Sequence, residues 1–203
     1  MYEYIKISAS CSLAFIALIN PVQKIFVINS LQQQFDAKSL RVISIKSTIT
    51  AFIILLAFLW IGQLVFNYVF HIEQYALQIT CGVVLFYNGI MGLHNGVYLK
   101  LDKNLSIKDI TAVPIAIPMI AGPATITAAV TFPVHYGRFI TTIAILIALL
   151  INFCCMLYAR KIGDLLNKHN LMNSLVRIFG LIVATIGVQM ILNGIKGFIL
   201  SGF

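Results

Sequence analysis

Six runs of about 20 apolar residues fill most of this chain, and no other feature constrains its fold as tightly. They cover approximately 8–30, 47–66, 75–94, 110–132, 139–158 and 177–199. A run of that length crosses the hydrocarbon layer of a bilayer as a helix. Of the 203 residues, 60% are hydrophobic and 10% charged, an apolar excess that a water-facing surface does not tolerate. The chain therefore reads as an all-α membrane protein with six transmembrane helices. It is expected to form a single integral membrane domain over 1–203, since six spans leave no room in these residues for a separate soluble domain. The first run continues through Asn20 with no small-residue cleavage site, so it is expected to be a retained helix and not a signal peptide.

The net charge of +8 does not point to nucleic acid, because no basic block interleaves with aromatic residues. Its distribution gives a topology instead. The odd-numbered loops carry ten basic residues, Lys38, Arg41, Lys46, Lys100, Lys103, Lys108, Arg160, Lys161, Lys168 and Arg177. The termini and even-numbered loops carry three, Lys6, Arg138 and Lys196. The positive-inside rule then puts the odd loops in the cytoplasm and both termini outside. Lys24 falls inside the first run, about one turn short of its cytoplasmic end, and its stem is expected to snorkel toward the head groups.

The chain divides into two three-helix halves, 1–94 and 110–203, joined by the polar stretch HNGVYLKLDKNLSIKD. The first span of each half carries an internal proline, in LINPVQ and in MIAGPATI. Pro21 lies 13 residues after Ser8, and Pro123 lies 13 after Ile110, so both breaks fall near mid-membrane. The third spans can also be overlaid, LQITCGVVLFYNGI on VRIFGLIVATIGVQ. Three spans per half turn the second half over relative to the first, which is the plan of an inverted-topology repeat. Helices 1 and 4 are thus expected to be interrupted, at Asn20-Pro21 and Gly122-Pro123.

A proline removes one backbone donor and displaces the carbonyl four residues earlier. In lipid the freed groups need partners, so broken backbone survives only against protein or a wet cavity. The sequence offers the amides of Asn20 and Asn29 near one break, and Thr125 and Thr127 near the other, with Gly122 letting the backbone turn. Ala121, Ala124, Ala128 and Ala129 permit close helix approach. Facing half-helix ends can hold a carboxylate on their N–H groups and an ammonium or cation on their carbonyls. Two prolines that only shape packing would leave the same sequence signature.

Every acidic residue lies in a loop or tail: Glu3, Asp36, Glu73, Asp102, Asp109 and Asp164. A buried carboxylate relay for protons is therefore not expected. Gln63, Asn88, Asn152, Gln189 and Asn193 lie within spans and are expected to make interhelical hydrogen bonds. The four cysteines lie in apolar segments without C-x-x-C spacing and read as small hydrophobes. The four histidines are scattered, so no metal site and no cofactor is expected. No buried base or carboxylate pairs with a nucleophile, and the chain does not read as an enzyme. Gly92-x-x-x-Gly96 has small-residue spacing but sits at a span end, a weak signal for self-association into a homo-oligomer.

With these motifs in place, the chain resembles the MarC family of six-span inner-membrane proteins of bacteria and archaea. The resemblance rests on NPVQKIFVINSL, AIPMIAGPATIT and GLIVATIGVQMILNGI. Family members usually carry glycine where Gln23, Cys81 and Ala124 stand, and proline where Phe26 stands. The resemblance implies a multi-pass protein of the bacterial inner membrane with periplasmic termini. It also implies a link, for some members, to transport of small neutral amino acids. It places any central site at Asn20, Pro21, Gly122 and Pro123, to which the nearby hydroxyls add Thr125 and Thr127. The expected function is a secondary transporter of a small polar solute, with the lipid bilayer and that solute as partners. A non-transporting membrane scaffold or assembly protein is the alternative.

Overall fold

The structure, a computed structural model, describes residues 2–32, 35–69, 71–95, 119–168 and 172–201. They form seven α-helices: α1 (Tyr2–Ile19), α2 (Pro21–Leu31), α3 (Ala37–Leu64), α4 (Gln74–Asn95), α5 (Pro123–Tyr136), α6 (Arg138–Lys168) and α7 (Met172–Leu200). Among the described residues there is no strand. Five segments are long and apolar enough to cross a membrane: Lys6–Asn29, Ala37–Leu64, Gln74–His94, Arg138–Leu165 and Ser174–Leu200. The sixth expected span, 110–132, is described from Met119 onward and contributes the shorter apolar helix Pro123–Val134. Its first part, and most of the polar linker before it, lie outside the described residues.

Helix starts follow local chemistry. Asp36 takes extended backbone and its carboxylate accepts from the Ser39 amide at 3.1 Å, capping α3. That cap carries α3 ten residues beyond the apolar run expected to begin at 47. Gly137 sits at φ 81°, ψ 152°, a region open to glycine, where the chain reverses between α5 and α6. Beside this turn the Arg138 guanidinium stacks 5.1 Å over the Trp60 ring.

The helices group into two bodies. In the larger, α1 and α2 pack along α6, while α5 packs against α3, α6 and α1. Its core includes Phe15, Ile19, Leu31, Ile43, Leu55, Ile145 and Met156, with Phe15 edge-on to Phe132 at 5.4 Å. The second body is the pair α4 and α7, which touch each other far more than they touch the rest.

Glycine makes that pairing possible. A Cβ on Gly89 would stand 2.6 Å from the Gly180 carbonyl oxygen and 2.7 Å from Ala184 Cα, pressed also on the Ala184 amide. One on Gly187 would stand 2.7 Å from the Gly82 oxygen and 2.5 Å from the Phe86 amide nitrogen. Gly180 likewise faces the Gly89 oxygen, and Gly194 the Tyr75 oxygen. The partners run in opposite senses (Tyr75 with Gly194, Gly82 with Gly187, Gly89 with Gly180), so the pair is antiparallel. Gly92 belongs to this seam, its carbonyl carbon 3.0 Å from a Cβ on Gly180. That contact is within the chain, and Gly96 lies outside the described residues.

Candidate functional site: two helix breaks and the cavity beside them

The first break is one residue wide. Asn20 holds φ 52°, ψ 73°, a left-handed conformation that asparagine adopts more readily than most residues. A residue before proline is also disfavoured in the right-handed helical region, so the Asn-Pro pair stops α1. The Asn20 amide N–H donates to the Ile16 carbonyl at 2.9 Å, closing α1. Its side-chain oxygen accepts from the Gln23 amide at 3.3 Å, opening α2, with Pro21 in the first turn.

At the second break α5 begins at Pro123 after Gly122, which has no side-chain cap to offer. Gly122 takes φ −79°, ψ 171°, extended backbone open to any residue. The left-handed residue lies at the first break, Asn20. The Thr125 hydroxyl donates in a bifurcated bond to the carbonyls of Ile120 at 2.8 Å and Gly122 at 2.9 Å. The Thr127 hydroxyl donates to the Pro123 carbonyl at 2.9 Å and sits 3.0 Å from the Cys81 sulfur on α4.

Lys24 is the residue that the sequence reading misplaced. It is 1% exposed, and its ammonium donates to the carbonyls of Ile19 and, at 2.6 Å, Met119. Snorkelling fails because a helical Cα–Cβ bond tilts toward the helix N-terminus. For α2 that direction leads back to the break, away from the loop that follows. The ammonium thus ties the end of α1 to the segment just before α5.

Beside the breaks lies a cavity of about 290 Å³. Ala17 and Leu18 from the end of α1 and Ala124, Thr127, Ala128, Thr131 and Phe132 from α5 form one side. Gln78 from α4 and Ile186, Met190 and Asn193 from α7 form the other. Its walls carry two hydroxyls and two amides and no charged side chain. Thr131 is shared with a smaller cavity of about 110 Å³ lined also by Gln63, Glu73 and Gln74, near the even-numbered loop between α3 and α4. A third, of about 150 Å³, lies at the odd-loop end between α2, α3 and α6, with Arg41 and Arg160 in its wall.

Of the six residues singled out in the sequence, Thr127 lines the main cavity. Asn20 and Thr125 are buried with their side chains bonded to backbone at the breaks, while Pro21 and Pro123 occupy first turns and Gly122 is the N-cap of α5. Gln78 and Thr131 were not anticipated, since their relevance depends on how four helices meet. The amides expected to bond between helices behave differently where they are described. Gln189 donates to Asn193 at 3.0 Å, and Asn152 Nδ2 to the Met156 sulfur at 3.5 Å, both one turn along the same helix. Their spacing of four residues is the reason. Among the described residues no three His, Cys, Asp or Glu side chains come together as a metal set would.

A bundle of apolar helices, with five segments long enough to span a bilayer, defines a multi-pass α-helical membrane protein. The chain belongs to the MarC family: the profile described as MarC family integral membrane protein matches residues 5–199. It is 33% identical to a UPF0056 membrane protein of Pyrococcus horikoshii, over 95% of both chains. It is also 33% identical to a UPF0056 membrane protein of Bacillus subtilis, over 91% of this chain and 92% of the relative. A UPF0056 membrane protein of Methanocaldococcus jannaschii is 29% identical over 91% of this chain and 93% of the relative. No solved structure matches the chain.

Proposed function

We propose that this chain is a secondary transporter of a small polar solute, built from two inverted three-helix repeats in the bacterial inner membrane with both termini periplasmic. The observation that carries the reading is the cavity of about 290 Å³ walled by the residues flanking both breaks. Its size lies at the lower end of the roughly 300–1,000 Å³ of small-molecule sites. Hydroxyl and amide groups without a net charge suit a neutral or zwitterionic solute such as a small amino acid. The smaller cavity beyond Thr131 supplies an approach from the even-loop side.

The repeat is supported by a register of 98 residues, one fewer than the overlay of the third spans in the sequence, which carries Gly82 onto Gly180 and Gly89 onto Gly187. The same shift carries Phe86 onto Ala184 and Leu93 onto Ile191. Contacts map accordingly. Gly89 meets Gly180 and Ala184 just as Gly187 meets Gly82 and Phe86; Gly180 meets Leu93 just as Gly82 meets Ile191. Such exchange is what a two-fold axis between α4 and α7 would give, and inverted repeats place a substrate site at such an interface. The charge asymmetry of the loops supports this orientation.

Accessibility separates transport from a scaffold role. With the four native cysteines replaced, a single cysteine at Thr131 is labelled with a membrane-impermeant maleimide from either face. A transporter exposes it to each face in turn, with glycine, alanine or serine shifting the ratio. Labelling from one face only, indifferent to every solute, would leave the scaffold reading.

A further inference from the structure

The two carbonyls that hold Lys24 are the ones that the helix breaks leave over. In an unbroken helix the Met119 carbonyl would accept from residue 123, which is proline and has no N–H. The Ile19 carbonyl would accept from the Gln23 amide, which instead serves Asn20. Carbonyls at the ends of interrupted helices carry negative partial charge and coordinate cations in transporters. Here one ammonium reaches both, fully buried, from a side chain anchored four residues past the break. Among the described spanning segments the one carboxylate is Asp164, exposed and near the end of Arg138–Leu165, so the carbonyls are the ammonium's counterweight.

We propose that Lys24 is a tethered cation. Its ammonium occupies the two-carbonyl site where the interrupted spans meet, in place of a bound monovalent ion. This protein then needs no Na+ at that position, either to hold its centre together or, on the transport reading on which this clause rests, to move solute. An ammonium on a four-carbon stem supplies the charge and the N–H donors of a bound cation but cannot dissociate. It therefore fixes the two breaks to each other in every state that keeps both bonds.

The test is chemical rescue of the purified protein in detergent, read as the thermal midpoint. Lys24→Ala removes the equivalent of n-propylammonium. The wild-type midpoint is expected to be the same in sodium, propylammonium and choline chloride at equal ionic strength. The Lys24→Ala midpoint is expected to fall by about 5 °C or more in choline, as two buried carbonyls lose their donor. At least half of the loss should return in propylammonium or sodium. An unshifted variant, or one recovered no better by these cations than by choline, overturns the assignment. If Lys24→Ala yields no folded protein in any salt, Lys24→Arg and Lys24→Met decide. The assignment requires Arg to be the more stable, and Met equal to or above Arg overturns it. Solute flux into proteoliposomes is a separate arm. Flux unchanged when choline replaces sodium supports a built-in cation, and sodium-dependent flux overturns it. No flux at all defeats the transport reading while the midpoints still judge the cation site.

Discussion

Substituting alanine at Gly89 should destabilise this protein, although alanine is the better helix former. The added Cβ would meet backbone alone: the Gly180 oxygen at 2.6 Å, Ala184 Cα at 2.7 Å, and the Ala184 amide. Ordinary contact begins near 3.4 Å, so α4 and α7 must separate by at least about 0.8 Å along a seam that runs their shared length. No flexible side chain is available to yield. Overpacking of this kind costs about 1–3 kcal/mol, and backbone-only contact places it near the upper figure. Alanine returns about 1 kcal/mol of helix propensity. The net loss is about 2 kcal/mol, which for a chain of this size lowers the thermal midpoint by roughly 4–8 °C. Gly187→Ala should lose a similar amount, since its contacts are those of Gly89 exchanged between the two helices. Gly197→Ala is the internal control. Its Cβ would meet only Tyr75 Cβ, at 3.3 Å, and with the helix propensity returned it should leave the midpoint unchanged or raise it by up to about 4 °C. Thermal unfolding of the three variants in detergent decides the matter. A neutral or stabilising Gly89→Ala, or a Gly197→Ala as damaging as Gly89→Ala, would refute the backbone-contact account.

Asn20→Gly keeps the positive φ and should cost a few tenths of a kcal/mol through the lost cap, whereas Asn20→Leu loses the cap and strains the backbone, for about 2–3 kcal/mol by thermal unfolding. Gly137→Ala meets no neighbour, yet its φ of 81° should cost about 1–3 kcal/mol; an unshifted midpoint would contradict that. Asp36 titrates below the usual carboxylate range because it accepts from Ser39. Its cap is therefore at full strength above that range and fades as pH falls through it, so the midpoint gap between wild type and Asp36→Ala should shrink from pH 7 to pH 3.

Much of the architecture follows from runs and breaks that any reader of the sequence can mark. The apolar runs became five segments long and apolar enough to cross a membrane and one shorter apolar helix, and α1 ends at Ile19, before the Asn-Pro pair. Other features were legible but not read. Glycines 82 and 89, and 180, 187 and 194, recur every seven residues, the repeat that keeps one helix face against a partner. Asp36, three residues before Ser39, announced the early start of α3. The inward course of Lys24 was implied by the N-terminal tilt of helical side chains. What the sequence could not convey is the cavity, because Gln78, Thr131 and Asn193 converge only through the packing of α4, α5 and α7.

Counterflow of radiolabelled glycine, alanine and serine in proteoliposomes tests the central claim most directly. The account predicts that at least one of them exchanges faster than in protein-free vesicles. It also predicts that Thr127→Val, which keeps the fold but removes a cavity hydroxyl, slows that exchange. Folded, reconstituted protein that exchanges no small polar solute would contradict it.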